Sequence, residues 1–243
     1  MYSNRKMLLL STSTLHGSEF LEYIVSTINE FFSKYNIKNV LFVPYALKDY
    51  EGYTNKVKSA FKKFNLKYSV SGIHEKSDPV QAINQTDCIF IGGGNTFLLL
   101  KTLYDLKLQD VIRNRVLKDG IVYMGSSAGT NIATPTINTT NDMPIVYPPT
   151  FDALNLISFN INPHYLDPDP KSTHKGETRI ERIQQFHEMP GSRPVVGLRE
   201  GSYLVIEGDS IILKGKPAVL FCQNKQPTEC AEGTDLSKTV AMN

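Results

Sequence analysis

The sequence lacks the features that mark membrane proteins and nucleic-acid-binding proteins. No window approaches the ~20 apolar residues of a membrane-spanning helix, and no run of Lys or Arg suggests a nucleic-acid surface at a net charge of +2. The N-terminal segment contains only the short apolar stretch MLLL, which is shorter than the core of a signal peptide. We therefore expect neither a membrane nor a nucleic acid among the partners.

Cysteine is also scarce in this chain. Only three cysteines, Cys88, Cys222 and Cys230, occur in 243 residues, and they lie far apart. Cys88 falls in an apolar, strand-like run, where a buried free thiol is the usual state. These features predict reduced thiols and a cytoplasmic location.

Up to residue 134, short apolar runs rich in β-forming residues alternate with longer segments of helical periodicity. The pattern predicts strands at 6–11, 40–43, 67–72, 87–91 and 121–124, and helices at 18–34, 53–64, 79–84, from the GGGN turn to about 106, and up to about 120. This order predicts an α/β fold with a mostly parallel sheet sandwiched by helices. Such folds carry their sites at the carboxyl ends of the strands, where both glycine-rich stretches fall.

The pattern changes in the second half of the chain. Residues 134–175 are rich in Pro, Asn, Asp and Thr, and a loop of that length is usually functional or disordered. Further elements are predicted at 157–161, 176–186, 195–198 and 218–222, with a hairpin of 202–207 and 210–214 around Gly208-Asp209. We expect one catalytic domain over 1–222 and a mobile C-terminal tail over 223–243.

The stretch GSSAG, which follows the apolar run IVYM, contains two adjacent serines. A G-x-S-x-G elbow requires glycines two positions before and after the nucleophile, because the chain turns there without room for side chains. Gly125 and Gly129 form this frame around Ser127, and no such frame surrounds Ser126. Ser127 is therefore the candidate nucleophile, with a Gly/Ser-rich turn that opens a helix as the alternative.

A nucleophilic serine needs a base, and the chain offers five histidines. His164 follows the predicted strand 157–161, so it occupies a loop at a strand end, as Ser127 does. A catalytic and a structural role for His164 both stay open at this point. The other histidines lie in polar surroundings or just before a helix, where we expect solvated or capping roles: His16, His74, His174 and His187.

The GGGN turn exposes backbone N–H groups that could cradle a phosphate or form an oxyanion hole. It lacks the Lys and Ser/Thr of a P-loop and the spacing of a dinucleotide fingerprint. An oxyanion hole would take its donors from Gly93 or Gly94 and from Ala128, the residue after the nucleophile. A plain tight turn is the alternative.

No spacing typical of a metal site occurs, neither HExxH nor paired cysteines. We expect no metal and no cofactor, although four residues have side chains of the types that bind metals: His164, Asp167, His174 and Glu177.

Several longer segments carry a specific resemblance. In order and spacing, GGGNTF, GSSAGTNIATPTINTTNDMPI, FDALNLISFNINPHY, HKGETRIERI and GLREG resemble the peptidase E (α-aspartyl dipeptidase) group of the S51 serine peptidase family. The resemblance extends from about residue 6 to 221. It implies a flavodoxin-like α/β sandwich similar to class I glutamine amidotransferases. It also implies hydrolysis of dipeptides that begin with aspartate, without a metal.

By position, the resemblance assigns Ser127 as nucleophile and His164 as general base. Either Asp142 in TTNDMPI or Glu200 in GLREG corresponds to the orienting carboxylate; we favour Glu200. Both have structural alternatives, since Asp142 could cap a turn and Glu200 could be solvated. At the elbow, Ser126 stands where the family usually has a bulky aromatic residue, which bears on the shape of the pocket.

The resemblance also makes Arg179, in HKGETR, the residue that binds the β-carboxylate of the substrate. Its alternative is a solvated arginine that pairs with Glu181 or Glu188. Two other functions stay open: a cyanophycinase-like peptidase acting on aspartate-containing polymers, and a non-catalytic binding protein on the same fold. The expected partner is a small dipeptide, and nothing in the sequence indicates an oligomeric state.

Overall fold

The structure, a computed structural model, describes residues 3–173 and 175–241; His174 lies outside the described residues. Its strands are β1 (Lys6–Leu10), β2 (Asn39–Val43), β3 (Ser69–Gly72), β4 (Cys88–Ile91), β5 (Val122–Ser126), β6 (Asn160–Pro163), β7 (Val195–Leu198), β8 (Ser202–Glu207), β9 (Ser210–Gly215), β10 (Ala218–Phe221) and β11 (Thr228–Cys230). Its helices are α1 (Val25–Lys34), α2 (Tyr50–Lys63), α3 (Pro79–Gln85), α4 (Thr96–Asp105), α5 (Gln109–Leu117), α6 (Ala128–Asn131), α7 (Arg179–His187) and α8 (Leu236–Ala241).

The strands form two sheets. The larger has the order β3-β2-β4-β5-β1-β8-β9, in which the first five strands are parallel and the last two antiparallel. The smaller has the order β11-β10-β7-β6, with β6 and β7 parallel. The predicted fold class, a mostly parallel sheet between helices, is confirmed.

Helices cover both faces of the larger sheet, which is why its inner strands are continuous apolar runs. In β1 the side chains alternate between two hydrophobic clusters. Met7 packs in the cluster that includes residues of α4 and α5, and Leu8 packs in the cluster that includes residues of α1 and α2. The first cluster also contains residues of β6, β7 and β10, so the two sheets share one core.

Several element boundaries differ from the sequence expectation for local reasons. The helix predicted at 18–34 begins only at Val25, because Leu21 has a left-handed backbone (φ 64°) and a short 3-10 turn follows it. The helix predicted from 176 begins at Arg179, where Thr178 and Glu181 form a reciprocal capping box. The strand predicted at 157–161 lies at Asn160–Pro163.

The long segment 134–175 is held in place at its base. Ile137 and Ala153 make backbone hydrogen bonds to Phe151 and Pro135, and Thr139 Oγ1 donates to the carbonyl of Ile161 in β6. Beyond this base, Asp142 of the segment contacts Thr96 at the N-terminus of α4.

The segment predicted as a mobile tail contains β11 and α8. β11 pairs with β10 at the edge of the smaller sheet, and Leu236 at the start of α8 is 0% exposed. Two buried side chains, Leu236 and Cys230, anchor this segment to the shared core although its sequence is poor in apolar residues.

The cysteines Cys88, Cys222 and Cys230 are all buried and unpaired. Within residues 3–173 and 175–241, no helix combines the length and the apolarity that crossing a membrane requires.

Candidate active site

Ser127 lies on a sharp turn between β5 and α6, with φ 53° and ψ −109°. Residues other than glycine rarely adopt this backbone conformation. Both glycines of its frame are required by close backbone contacts. A Cβ on Gly129 would lie 2.1 Å from the carbonyl oxygen of Ile91, and a Cβ on Gly125 would lie 2.5 Å from that of Gly129. The backbone of the elbow therefore packs closely against Ile91, the last residue of β4.

The GGGN turn follows β4, the parallel neighbour of β5, so the two glycine-rich turns lie side by side. A Cβ on Gly93 would lie 3.1 Å from the Cβ of Ser127. The Gly93 N–H donates to the hydroxyl of Tyr53 at 2.8 Å. In the described part of the chain, the N–H of Gly94 has no acceptor, and Ala128 begins α6, so its N–H is not used by the helix.

His164 and Glu200 come from the smaller sheet. Its strands β6 and β7 are parallel neighbours in which Pro163 lies opposite Leu198. His164 directly follows Pro163, and Glu200 lies two residues beyond Leu198, so both leave the same end of this sheet.

These residues form a continuous chain of hydrogen bonds with Ser127. His164 Nε2 lies 2.8 Å from Ser127 Oγ, and His164 Nδ1 lies 2.8 Å from Glu200 Oε1. Because an ionised carboxylate only accepts hydrogen bonds, the imidazole carries its proton on Nδ1 and offers the Nε2 lone pair to the serine hydroxyl. This is the arrangement of nucleophile, base and orienting carboxylate.

Ser11, just after β1, joins the elbow to the smaller sheet. Its buried hydroxyl accepts the backbone N–H of His164 at 2.9 Å and donates to the carbonyl of Leu198 at 2.8 Å. One residue earlier, the carbonyl of Leu10 accepts the N–H of Ser127 at 3.1 Å. The end of β1 therefore contacts both sides of the hydrogen-bonded chain.

Asp142 binds the N-terminus of α4 and is not hydrogen-bonded to the imidazole of His164. Its Oδ2 accepts the backbone N–H of Thr96 at 2.7 Å, at the N-terminus of α4, and the hydroxyl of Thr140 at 3.1 Å. The structure brings Glu200, and not Asp142, into hydrogen-bond contact with His164.

A cavity of about 420 Å³ opens beside Ser127 and His164. Its lining includes Phe20 and Lys56, whose ammonium lies 4.6 Å from the centre of the Phe20 ring. Tyr53 also lines it; burial, the largest effect, raises the pKa of Tyr53 to about 12, although the Gly93 N–H acts in the opposite direction.

Arg179 is the first residue of α7 and is half-buried. It does not line the cavity beside Ser127 but a second one of about 410 Å³, together with Leu166 and Asp167 of the segment after His164. Burial, with the nearby charge of Arg182, lowers the pKa of the Arg179 guanidinium. Among the described residues it has no hydrogen-bond or ion-pair partner.

Two further histidines among the described residues, His187 and His74, do not join the site. His187 Nδ1 lies 2.9 Å from Ser192 Oγ at the end of α7, and His74 lies in the 3-10 turn Ile73–Glu75. Across the described ranges, no group of three or more His, Cys, Asp or Glu side chains could hold a metal ion.

Sequence analysis missed Tyr53 and Ser11. Tyr53 lies on the apolar face of α2, where an aromatic ring predicts only core packing, and no local motif distinguishes Ser11 from the serine and threonines around it. Both act on the site through contacts between distant segments.

The sequence of this chain resembles those of known peptidases. A family model described as Peptidase family S51 matches residues 7–214. The chain belongs to peptidase family S51. This S51 chain is 50% identical over 238 residues to a probable alpha-aspartyl dipeptidase of Drosophila melanogaster, covering 98% of each chain. It is 48% identical over 233 residues to a peptidase E of Streptomyces coelicolor, covering 96% of this chain and 93% of the relative.

Two solved structures have a similar fold. A protein of Listeria monocytogenes EGD-e assigned to peptidase E has a TM-score of 0.65 at 25% identity, covering 87% of the S51 chain and 98% of its own. A peptidase from an acI-B1 Actinobacterium has a TM-score of 0.69 at 15% identity, covering 95% of each chain, and this similarity concerns the fold alone.

Proposed function

We propose that this S51 peptidase is a serine dipeptidase that hydrolyses dipeptides with an N-terminal aspartate through an acyl-enzyme. The observation that carries the proposal is the hydrogen-bonded chain Ser127–His164–Glu200, with 2.8 Å at each step. The names of the relatives, peptidase E and alpha-aspartyl dipeptidase, support the substrate class.

In the first step, Ser127 Oγ attacks the peptide carbonyl carbon while His164 Nε2 takes the hydroxyl proton. The imidazolium that forms is stabilised by the carboxylate of Glu200. It then gives the proton to the leaving amine, and the C–N bond breaks. A water activated by His164 next attacks the aspartyl ester, which releases aspartate and restores the serine.

The oxyanion of each tetrahedral intermediate needs preorganised donors near Ser127. We assign this role to the N–H groups of Ala128 and of the GGGN turn. Gly94 has an N–H without an acceptor in the described chain, whereas the N–H of Gly93 binds the hydroxyl of Tyr53. A substrate oxygen would replace that hydroxyl as the acceptor of Gly93.

Arg179 is our candidate for recognition of the aspartate side chain. A guanidinium that is half-buried and unpaired among the described residues favours a carboxylate ligand, which it can bind through two parallel hydrogen bonds. His164 lines the cavity beside Ser127, and Leu166, two residues later in the chain, lines the cavity that contains Arg179. The three buried, unpaired cysteines support a cytoplasmic location.

A panel of peptides tests the proposal. We expect Asp-Leu to be hydrolysed, and Asn-Leu to be cleaved far less well, because a neutral side chain leaves the guanidinium unpaired. Glu-Leu keeps the charge but displaces it by one methylene, so it should also be a poor substrate. Hydrolysis of an aspartate-containing polymer without hydrolysis of Asp-Leu would favour the cyanophycinase-like alternative, and no hydrolysis at all would favour a binding protein.

A further inference from the structure

A third, much smaller cavity of about 20 Å³ shares two lining residues, Ser127 and His164, with the cavity of about 420 Å³. Ser127, Ala128 and His164 contribute to its wall, and the other wall residues are polar apart from Pro163: Thr96, Asn131, Thr140, Asn141 and Asp142. A space of this size holds about one water-sized group.

The wall offers hydrogen-bond acceptors that the protein itself does not use. Asn131 is 1% exposed, and its Oδ1 has no hydrogen-bond partner, while its Nδ2 faces the carbonyl of Ile161 at 3.5 Å. Asp142 uses Oδ2 to bind Thr96 and Thr140, and no described donor reaches its Oδ1. Two residues that line this small cavity, Asn131 and Asp142, therefore each carry an acceptor oxygen without a described donor.

The charge of the wall has one sign. Apart from His164, the lining of this cavity contains one ionisable residue, the carboxylic acid Asp142. Because a buried amide oxygen without a partner is unfavourable, a donor that enters this space would be bound favourably. An anionic carboxylate, an amide oxygen and a volume of one small group together fit a compact cation with several N–H donors.

We propose that this cavity binds the α-ammonium of the N-terminal aspartate, with Asp142 Oδ1 and Asn131 Oδ1 as acceptors. The inference rests on the proposed function. It follows from substrate chemistry, because the α-ammonium of Asp-X is joined to the scissile carbonyl carbon through a single Cα. A carbonyl held at Ser127 therefore places the amine within reach of a cavity that Ser127 itself lines.

The consequence is that the enzyme requires a free N-terminus. Asp142 would bind the α-ammonium, and Arg179 would bind the side-chain carboxylate. The two groups that distinguish an N-terminal aspartate from an internal one would then be recognised by opposite charges.

The test compares Asp-Leu with succinyl-leucine, which is the same molecule without the amine. We expect wild-type kcat/KM to be about 10- to 100-fold higher for Asp-Leu, the size expected for a charged hydrogen-bonded group. In Asp142→Asn, which keeps an oxygen for Thr96, this ratio should fall to within about threefold of unity because only the charge is lost. Asp78→Asn is the matched control, since Asp78 caps α3 through Gln81 as Asp142 caps α4; its ratio should equal that of wild type.

The outcomes separate the two claims. If Asp142→Asn slowed both substrates equally, Asp142 would serve only to hold α4, and the inference would be overturned. Equal cleavage of both substrates by wild type would overturn it too, while leaving the serine dipeptidase intact. If wild type cleaved neither substrate, the proposed function would fail first. Should Asp142→Asn not fold, judged by circular dichroism, Asn131→Leu provides the same test, with a loss expected on Asp-Leu and not on succinyl-leucine.

Discussion

Glu200 and Asp142 are two carboxylates near one serine with different environments. Glu200 Oε1 lies 2.8 Å from His164 Nδ1, where it fixes the imidazole tautomer. Asp142 binds the N-terminus of α4, where a carboxylate also interacts favourably with the helix dipole. Their kinetic effects should differ accordingly.

We expect Glu200→Gln to lower kcat by about 10⁴-fold, because an amide nitrogen facing Nδ1 favours the wrong tautomer and leaves the imidazolium without a counter-charge. Asp142→Asn should lose about 10- to 100-fold on Asp-Leu, the size expected for one charged hydrogen bond. Steady-state kinetics with Asp-Leu measures both. A larger loss in Asp142→Asn than in Glu200→Gln would contradict the assignment.

Arg179→Met should raise KM for Asp-Leu or abolish turnover while the thermal midpoint stays close to wild type. The reason is that the Arg179 guanidinium supports no described contact in the fold, so its removal affects only the ligand. Arg193→Met is the control, because Arg193 is exposed and lines neither cavity. Near wild-type efficiency of Arg179→Met on Asp-Leu would exclude Arg179 from substrate recognition.

At the scale of residues, sequence reasoning depends on local signals. The glycine frame singles out Ser127 because steric demands at an elbow act within five residues. The choice between Asp142 and Glu200 could not be made locally, since it depends on β6 lying beside β7. Asn131 was missed because its unsatisfied oxygen is a property of packing that no local motif indicates.

At the scale of elements, the site lies where strands of two sheets end. The turns after β4 and β5 position Gly93 and Ser127, and the loops after β6 and β7 position His164 and Glu200. The alternation of strands and helices predicted the larger sheet, because each element has its own hydrophobic period. The smaller sheet has strands of three or four residues, too short for a reliable period, and its pairing joins segments separated by α7.

The C-terminal segment provides a test at this scale. Leu236→Ala should lower the free energy of unfolding by about 2–5 kcal/mol, the cost of truncating a leucine in a packed core, since Leu236 is fully buried. Leu106→Ala, at an exposed site, is the control and should change stability little. Urea unfolding measures both. Equal, small effects would indicate that 223–243 is a mobile tail, as the sequence predicts.

At the scale of the whole molecule, the site depends on how the two sheets meet. Ser11 directly follows β1 of the larger sheet and connects it to the smaller one, because its hydroxyl bonds Leu198 in β7 and His164 just after β6. The shared hydrophobic core holds the two sheets together. Ser11 positions the backbone of His164 relative to Ser127.

Ser11→Ala should therefore lower kcat for Asp-Leu as well as stability. Loss of the hydroxyl leaves the buried N–H of His164 without its acceptor, which costs about 1–3 kcal/mol. Ser33→Ala, a substitution of an exposed hydroxyl in α1, is the control for the kinetics. If Ser11→Ala changed the thermal midpoint and left kcat at the wild-type value, Ser11 would stabilise the fold without positioning His164.

The most direct test of the account compares kcat/KM for Asp-Leu in Ser127→Ala and Ser126→Ala. Ser126 is 0% exposed, and its hydroxyl has no partner among the described residues, so alanine there removes only an unsatisfied group. We expect Ser126→Ala to retain activity within about threefold of wild type and Ser127→Ala to lose roughly 10⁶-fold. Equal losses in the two variants, or a Ser127→Ala enzyme within tenfold of wild type, would contradict nucleophilic catalysis by Ser127.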